Sequence, residues 1–186
     1  MRTPVKPAKK TPSIDPAREF ERTLRALSQR HERWRVFADF CEMAACALDQ
    51  VIVKRESREQ QYLTAVKRYE KSEVDQLCHL LAHVMCALDA ETRDFLGRMF
   101  QTLELSSHWH GQFFTPHEIA TMMALMVIGD KARRLKRMLV EEKDYIALSE
   151  PACGAGAMVI AFASALRQEG IEPQRHLYVE AQDVDV

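Results

Sequence analysis

Apolar residues recur at spacings of three and four along most of the first hundred positions, and that spacing predicts helices. Asp15-Pro16 reads as an N-cap followed by a proline in the first turn. From there Phe20, Leu24, Leu27, Trp34, Phe37 and Cys41 share a face, so the stretch to about Val53 is one long amphipathic helix or two in sequence. Ser57-Arg58-Glu59-Gln60 has the form of a capping box and opens a further helix through Tyr62, Val66 and Tyr69. Ser72 opens the next, with Val74, Leu77, Leu81, Val84 and Leu88 on its apolar face. A fourth, from about Ala90 to Leu103, buries Phe95, Leu96, Met99 and Phe100. Neither glycine nor proline interrupts residues 17–96, so residues 17–105 are expected to form a helical bundle.

After residue 105 the pattern changes. Ser106 to Gly111 reads as a linker into Thr115-Pro116, where Thr115 can cap and Pro116 can begin a helix carrying Ile119, Met122, Met123 and Met126. The methionines read as core packing. Asp130 to Glu142 is expected to be helical as well. Tyr145 to Leu148 then reads as a short buried strand, and Met158 to about Glu169 as a helix. Gly170 and Pro173 mark a loop, and a second strand, Leu177 to Gln182, ends at Asp183-Val184-Asp185.

At 47% hydrophobic and 28% charged residues, the composition is that of an ordinary soluble globular protein. A net charge of −1 gives no bulk attraction to nucleic acid, although the balance is uneven. Residues 1–71 carry 16 lysines and arginines against 10 acidic residues, and residues 72–186 carry 10 against 17. The basic, proline-containing tail over 1–16 is expected to be disordered, and it reads as a solubilising end rather than a DNA-gripping arm. No stretch is apolar enough to span a bilayer, and no apolar run follows the N-terminal charges as a signal peptide would require. The five cysteines form no CxxC pair, which fits free thiols in a reducing cytoplasm.

The run Ser149-Glu150-Pro151-Ala152-Cys153-Gly154-Ala155-Gly156-Ala157 carries the most chemistry. A Gly-x-Gly turn between strand and helix lets a ligand press against bare backbone, here at Gly154 and Gly156. A dinucleotide site would want glycine or alanine three residues after the second glycine, and that place holds Val159. An acidic residue at the tip of the next strand can accept hydrogen bonds from ribose hydroxyls, a role that Asp183 fits, with Asp185 two residues on. Thr115, opening a helix, offers a hydroxyl and free amides to a carboxylate. Taken alone, Gly-x-Gly after a strand is often no more than a tight turn.

Together with Gly111-Gln112-Phe113-Phe114-Thr115-Pro116, the glycine run resembles the cofactor-binding motifs of S-adenosylmethionine-dependent adenine-specific (N6) DNA methyltransferases. The nearest likeness is to the modification subunits of type I restriction systems. The resemblance implies that Phe114, Thr115 and Pro116 hold the methionine end of the cofactor. It implies that Pro151, Ala152, Cys153, Gly154 and Gly156 line the same pocket and that Asp183 binds ribose. Glu150 stands where the family usually has aspartate, and its carboxylate can still reach the cofactor's ammonium. The implied fold is a helical bundle followed, over residues 106–186, by the beginning of a Rossmann-like methyltransferase domain with two parallel strands.

The family reaction moves a methyl group from S-adenosylmethionine to the exocyclic amine of a flipped adenine. The chain contains no asparagine, so the family's Asn-Pro-Pro-aromatic tetrapeptide has no counterpart here. The expectation is therefore a chain with no catalytic residues of its own, the N-terminal portion of a longer methyltransferase and inactive alone. Implied partners are DNA in the longer context, a specificity or partner subunit, or a second copy joined through an exposed sheet edge. The alternative is a non-catalytic helical interaction module with a relic of the cofactor pocket.

Three other groups of residues read more plainly. His79, His83 and Cys86 share a helix face, and a histidine pair four apart can chelate zinc; they read as a solvated or partner-facing stripe, with no metal site expected. His108-Trp109-His110 reads as linker contacts. Lys131, Arg133, Arg134, Lys136 and Arg137 read as a solvated face balanced by Glu141 and Glu142, rather than a phosphate-binding run.

Overall fold

A computed structural model describes residues 15–105, 115–141 and 145–183 of the chain. Helix α1 (Pro16–Leu27) opens where the sequence predicts, with the Asp15 side chain accepting from the Ala17 amide at 3.0 Å. Of the tail expected over residues 1–16, Pro16 thus belongs to α1, and residues 1–14 lie outside the described ones. The stretch to residue 53 is two helices. Ser28 ends α1 by donating its hydroxyl to the Leu24 carbonyl at 2.7 Å, and α2 (Arg33–Ile52) follows.

Helix α3 (Glu56–Val66) starts one residue before Ser57, and its N-cap, Arg55, makes no side-chain capping bond. The reciprocal box lies instead on α4 (Lys71–Ala90), which starts after Glu70 rather than at Ser72. There the Glu70 carboxylate caps the amide of Glu73, and the Glu73 carboxylate accepts from the Glu70 amide at 2.9 Å. A carboxylate can replace the usual hydroxyl because the two orphan amides need only acceptors. The Glu70 amide in turn holds the Glu73 carboxyl below the usual carboxylate range. Ala90 closes α4, and α5 (Phe95–Thr102) begins separately behind an Asp94 N-cap.

These five helices enclose one apolar cluster. Phe20 lies at its centre, edge-on to Phe40 with ring centroids 5.5 Å apart and to Phe95 at 5.4 Å. Packing against α1 centres the buried stripe of α4 on Leu77, Leu80 and Val84. Leu81 and Val74 fall at its margin and Leu88 is exposed, so the predicted face is rotated by one position. Asp39, buried on α2, accepts from Arg68 Nη1 at 2.6 Å and from the Tyr69 hydroxyl at 2.9 Å. That carboxylate ties α2 to the turn before α4, as a buried charge requires.

A second cluster begins with α6 (His117–Ile128), a single 3-10 turn at Gly129–Lys131 and α7 (Ala132–Glu141). Strand β1 (Ile146–Glu150), helix α8 (Ala157–Gln168), a short helix α9 (Pro173–His176) and strand β2 (Leu177–Ala181) complete it. Helix α9 occupies what the sequence suggests is loop, with Pro173 in its first turn. The strands pair in parallel, Ile146 opposite Leu177 and Glu150 opposite Ala181. The described part of the molecule is thus mostly helical with two parallel strands.

The methionines of α6 overturn their expected role as core. Helix α6 meets α8 through Ala120, Ala124 and Ile128 against Ala157, Ala161 and Ala165. Small side chains let two helices approach closely, and the bulky face turns outward. Met122, Met123 and Met126 are consequently exposed, the last at 76%. The basic face of α7 is solvent-facing at Arg133, Arg134 and Arg137. Its Lys136 pairs with Glu169 of the α8 terminus at 3.5 Å. The expected balance from Glu141 and Glu142 falls on side chains outside those described.

Among the described residues no helix is long and apolar enough to cross a membrane. None of their histidines, cysteines and acids gather in threes to hold a metal. The cysteines differ sharply in environment. Burial pushes the Cys41 thiol up to about 12, whereas Cys78 and Cys86 are exposed on α4. The thiol is therefore held in its neutral form near neutral pH, which suppresses thiolate attack. Mass spectrometry after brief alkylation of the folded chain should find Cys78 and Cys86 labelled and Cys41 untouched. Equal labelling of Cys41 and Cys78 would contradict its burial.

Candidate functional site

Strand β1 delivers Glu150 to the edge of a turn that Pro151 stops from continuing as strand. Gly154 and Gly156 take φ of +49° and +82°, left-handed values that favour residues without a Cβ. Gly156 caps α8, and the position its missing Cβ would occupy is open space. The backbone there is bare and reachable, which is what close approach of a ligand needs.

The tip of β2 closes on the same turn. The Gln182 amide donates to the Glu150 carbonyl at 2.9 Å, and the Cys153 amide donates to the Gln182 carbonyl at 2.9 Å. The Gly154 amide then donates to Asp183 Oδ2 at 2.7 Å. The Glu150 carboxylate stays local, accepting from the Ala152 amide at 3.3 Å. Glu150, Pro151, Ala152, Cys153, Gly154, Gly156 and Asp183 are therefore one structural unit, assembled by parallel pairing of strands that lie about 30 residues apart.

Thr115 and Pro116 stand apart from that unit. Pro116, with ψ of 142°, is itself the N-cap of α6, so neither residue caps by side chain and the helix starts at His117. Both line a cleft of about 170 Å³ with Arg93, Asp94, Gly97 and His117. No hydrogen bond joins them to the glycine turn among the described residues. Phe114, like Gly111, His108-Trp109-His110 and Asp185, lies outside the described residues.

A second, larger cleft of about 430 Å³ runs alongside. Trp34, Phe37, Leu96 and Phe100 make it apolar, and Gly97 and Ala155 close it. Gly97 borders both clefts, so the first turn of α5 stands between the Thr115-Pro116 corner and the glycine turn. These α5 residues escape motif reading, yet one signal is visible. Gly97 is the first glycine of the chain and sits inside a helix, where glycine costs about 0.5–1 kcal/mol. The reason is steric and local: its amide donates to Asp94 Oδ1 at 2.8 Å, and a Cβ would come within 2.1 Å of Asp94 Oδ2.

The whole arrangement is suited to binding. It combines an acidic strand tip, bare backbone at a helix start and a polar corner beside an apolar trough. No curated protein and no solved structure matches the chain. The model of the N-6 DNA methylase family matches residues 91–185, a span that starts just before α5 and takes in both clefts' shared glycine, the glycine turn and Asp183. With more than half of the chain matched in this way, the chain belongs to the N-6 DNA methylase family, the adenine N6 DNA methyltransferases.

Proposed function

We propose that this chain is the S-adenosylmethionine-binding part of an adenine-specific DNA methyltransferase, similar to the modification subunits of type I restriction systems. The single observation that carries the reading is the bond from the Gly154 amide to Asp183 Oδ2, which sets a carboxylate at the mouth of a glycine turn. A cofactor with a ribose and an amino-acid end fits those groups. Asp183 accepts from ribose hydroxyls, and Gly154 and Gly156 leave room for the ligand along the backbone. Glu150 stands within reach of an ammonium, and Phe114, Thr115 and Pro116 serve the methionine end. When bound, S-adenosylmethionine supplies an electrophilic methyl group. On this reading residues 17–105 are a helical domain, and residues 106–186 belong to a Rossmann-like methyltransferase domain.

DNA is the substrate class of the family. A specificity or partner subunit, or a second copy extending the edges of β1 and β2 that stay open among the described residues, is the protein partner we favour. The rival reading is a helical interaction module whose pocket no longer binds. Calorimetric titration of the purified chain with S-adenosylmethionine separates the two: micromolar affinity supports the pocket, and no heat supports the relic.

The residues present hold no group for polarising an adenine amine in the family's manner, since asparagine is absent. We therefore expect only background counts when the chain is incubated with tritiated cofactor and adenine-rich DNA. Label in adenine above that of a heat-killed control would sink that expectation.

A further inference from the structure

Helix α6 is apolar nearly all round. From Ile119 to Ile128 its only polar residue is Thr121, yet only the stripe Ala120, Ala124 and Ile128 is buried. Ile119, Met122, Met123, Leu125, Met126 and Val127 are all exposed. A helix of that composition is ordinarily enclosed, and a soluble monomer rarely leaves so many neighbouring apolar side chains in water. The exposed residues also have an order. At about 100° per residue, Ile119, Met122, Met123 and Met126 form one seam on the side of α6 opposite the stripe that meets α8. Their spacing of three, one and three residues suits a helix that lies along another helix. Methionine, unbranched and polarizable, adapts its shape to such a surface.

The charges at the two ends of the seam select the partner. Glu118 is exposed in the first turn of α6, and Lys131 is exposed in the 3-10 turn that follows the helix, with Arg133 and Arg134 exposed beyond it. One end is acidic and the other basic, a pattern complementary to itself when run backwards. We infer that α6 is the contact of a two-fold dimer, its seam lying antiparallel on the same seam of a second copy. With the axis between Ala124 and Leu125, Met123 faces the partner's Met126, and Met122 faces the partner's Val127. In the same register Glu118 stands opposite the partner's Lys131, and symmetry repeats that pair. The antiparallel course also sets each helix N-terminus against the partner's C-terminus, where their dipoles attract. The packing of α6 on α8 is left intact, because it uses the opposite side of the helix. This contact is distinct from the strand edges and does not depend on cofactor binding.

Sedimentation equilibrium of the full chain, from about 1 to 300 μM, is the test. The native chain should dimerise in the micromolar range, since one helix face lies at the small end of interface sizes. Met126→Glu places an unpaired charge in the seam and should weaken dimerisation about a hundredfold or more. Val51→Glu, at an 83% exposed position on α2, should leave it unchanged. Glu118→Lys and Lys131→Glu should each weaken it about fivefold, and the double reversal should restore it, as only a self-complementary register allows. Far-UV circular dichroism of each variant checks that it folds. A native chain that stays monomeric throughout overturns the inference. So does a folded Met126→Glu chain that still dimerises, which would point to the strand edges, or a Val51→Glu chain weakened as much as Met126→Glu. A double reversal that restores nothing rejects the two-fold register and with it the inference. A monomeric native chain that pellets with phosphatidylcholine–phosphatidylserine vesicles would put a membrane surface on the seam instead of a second copy.

Discussion

Replacing Phe20 by alanine is expected to destabilise the chain by about 3–5 kcal/mol. Phe20 is fully buried, and its ring meets two others edge-on, Phe40 from α2 and Phe95 from α5. Truncation removes the transfer free energy of a phenyl group and opens a cavity among three elements that cannot all move inward. A typical domain is stable by only about 5–15 kcal/mol, so this one change takes about a fifth or more of the total. Urea titration followed by circular dichroism measures it, with an unchanged slope showing that stability and not the unfolded state has moved. Val140→Ala, at an 86% exposed position on α7, should stay within about 0.5 kcal/mol. A loss below about 1 kcal/mol for Phe20→Ala would mean that the three rings do not form the keystone of the helical cluster.

Asp183→Ala is expected to weaken S-adenosylmethionine binding tenfold or more on the reading proposed above. Two losses add. The ligand loses a charge-assisted bond to ribose, about 1.5–3 kcal/mol, and the turn loses the acceptor that holds the Gly154 amide at 2.7 Å. Gly154→Val should be harsher still. It forces a β-branched residue to φ of +49°, a strain of about 1–3 kcal/mol, and it puts bulk where the ligand is to lie. Calorimetry on the folded variants decides the matter. Unchanged affinity in Asp183→Ala would move the ribose role elsewhere, to Asp185 first.

Much of this molecule was legible along the chain because the relevant forces act between near neighbours. Asp15 and Pro16 announce α1, since a cap and a fixed φ are properties of one or two residues. Apart from α9, where the sequence suggests loop, the helices and both strands fall within a few residues of where the sequence puts them. The glycine turn is equally local, because its left-handed φ values select glycine directly.

Contacts between distant residues were a different matter. Which stripe of α4 is buried depended on α1, which chose Leu80 over Leu88. The methionines of α6 look like core until the alanines of α6 and α8 are seen face to face, since close helix contact rewards small residues and expels large ones. A carboxylate capping box at Glu70 and Glu73 hides behind the more familiar serine at 57. Asp183 could be nominated from sequence, but only the parallel pairing of β1 with β2 carries its carboxylate to Gly154. Arg93 and His117 have no motif to mark them. Their shared cleft arises because two helix starts, 22 residues apart, end up side by side. Residue type and spacing determined the elements and the glycine turn; packing decided which side chains are enclosed, and enclosure is what gives a polar atom its binding energy.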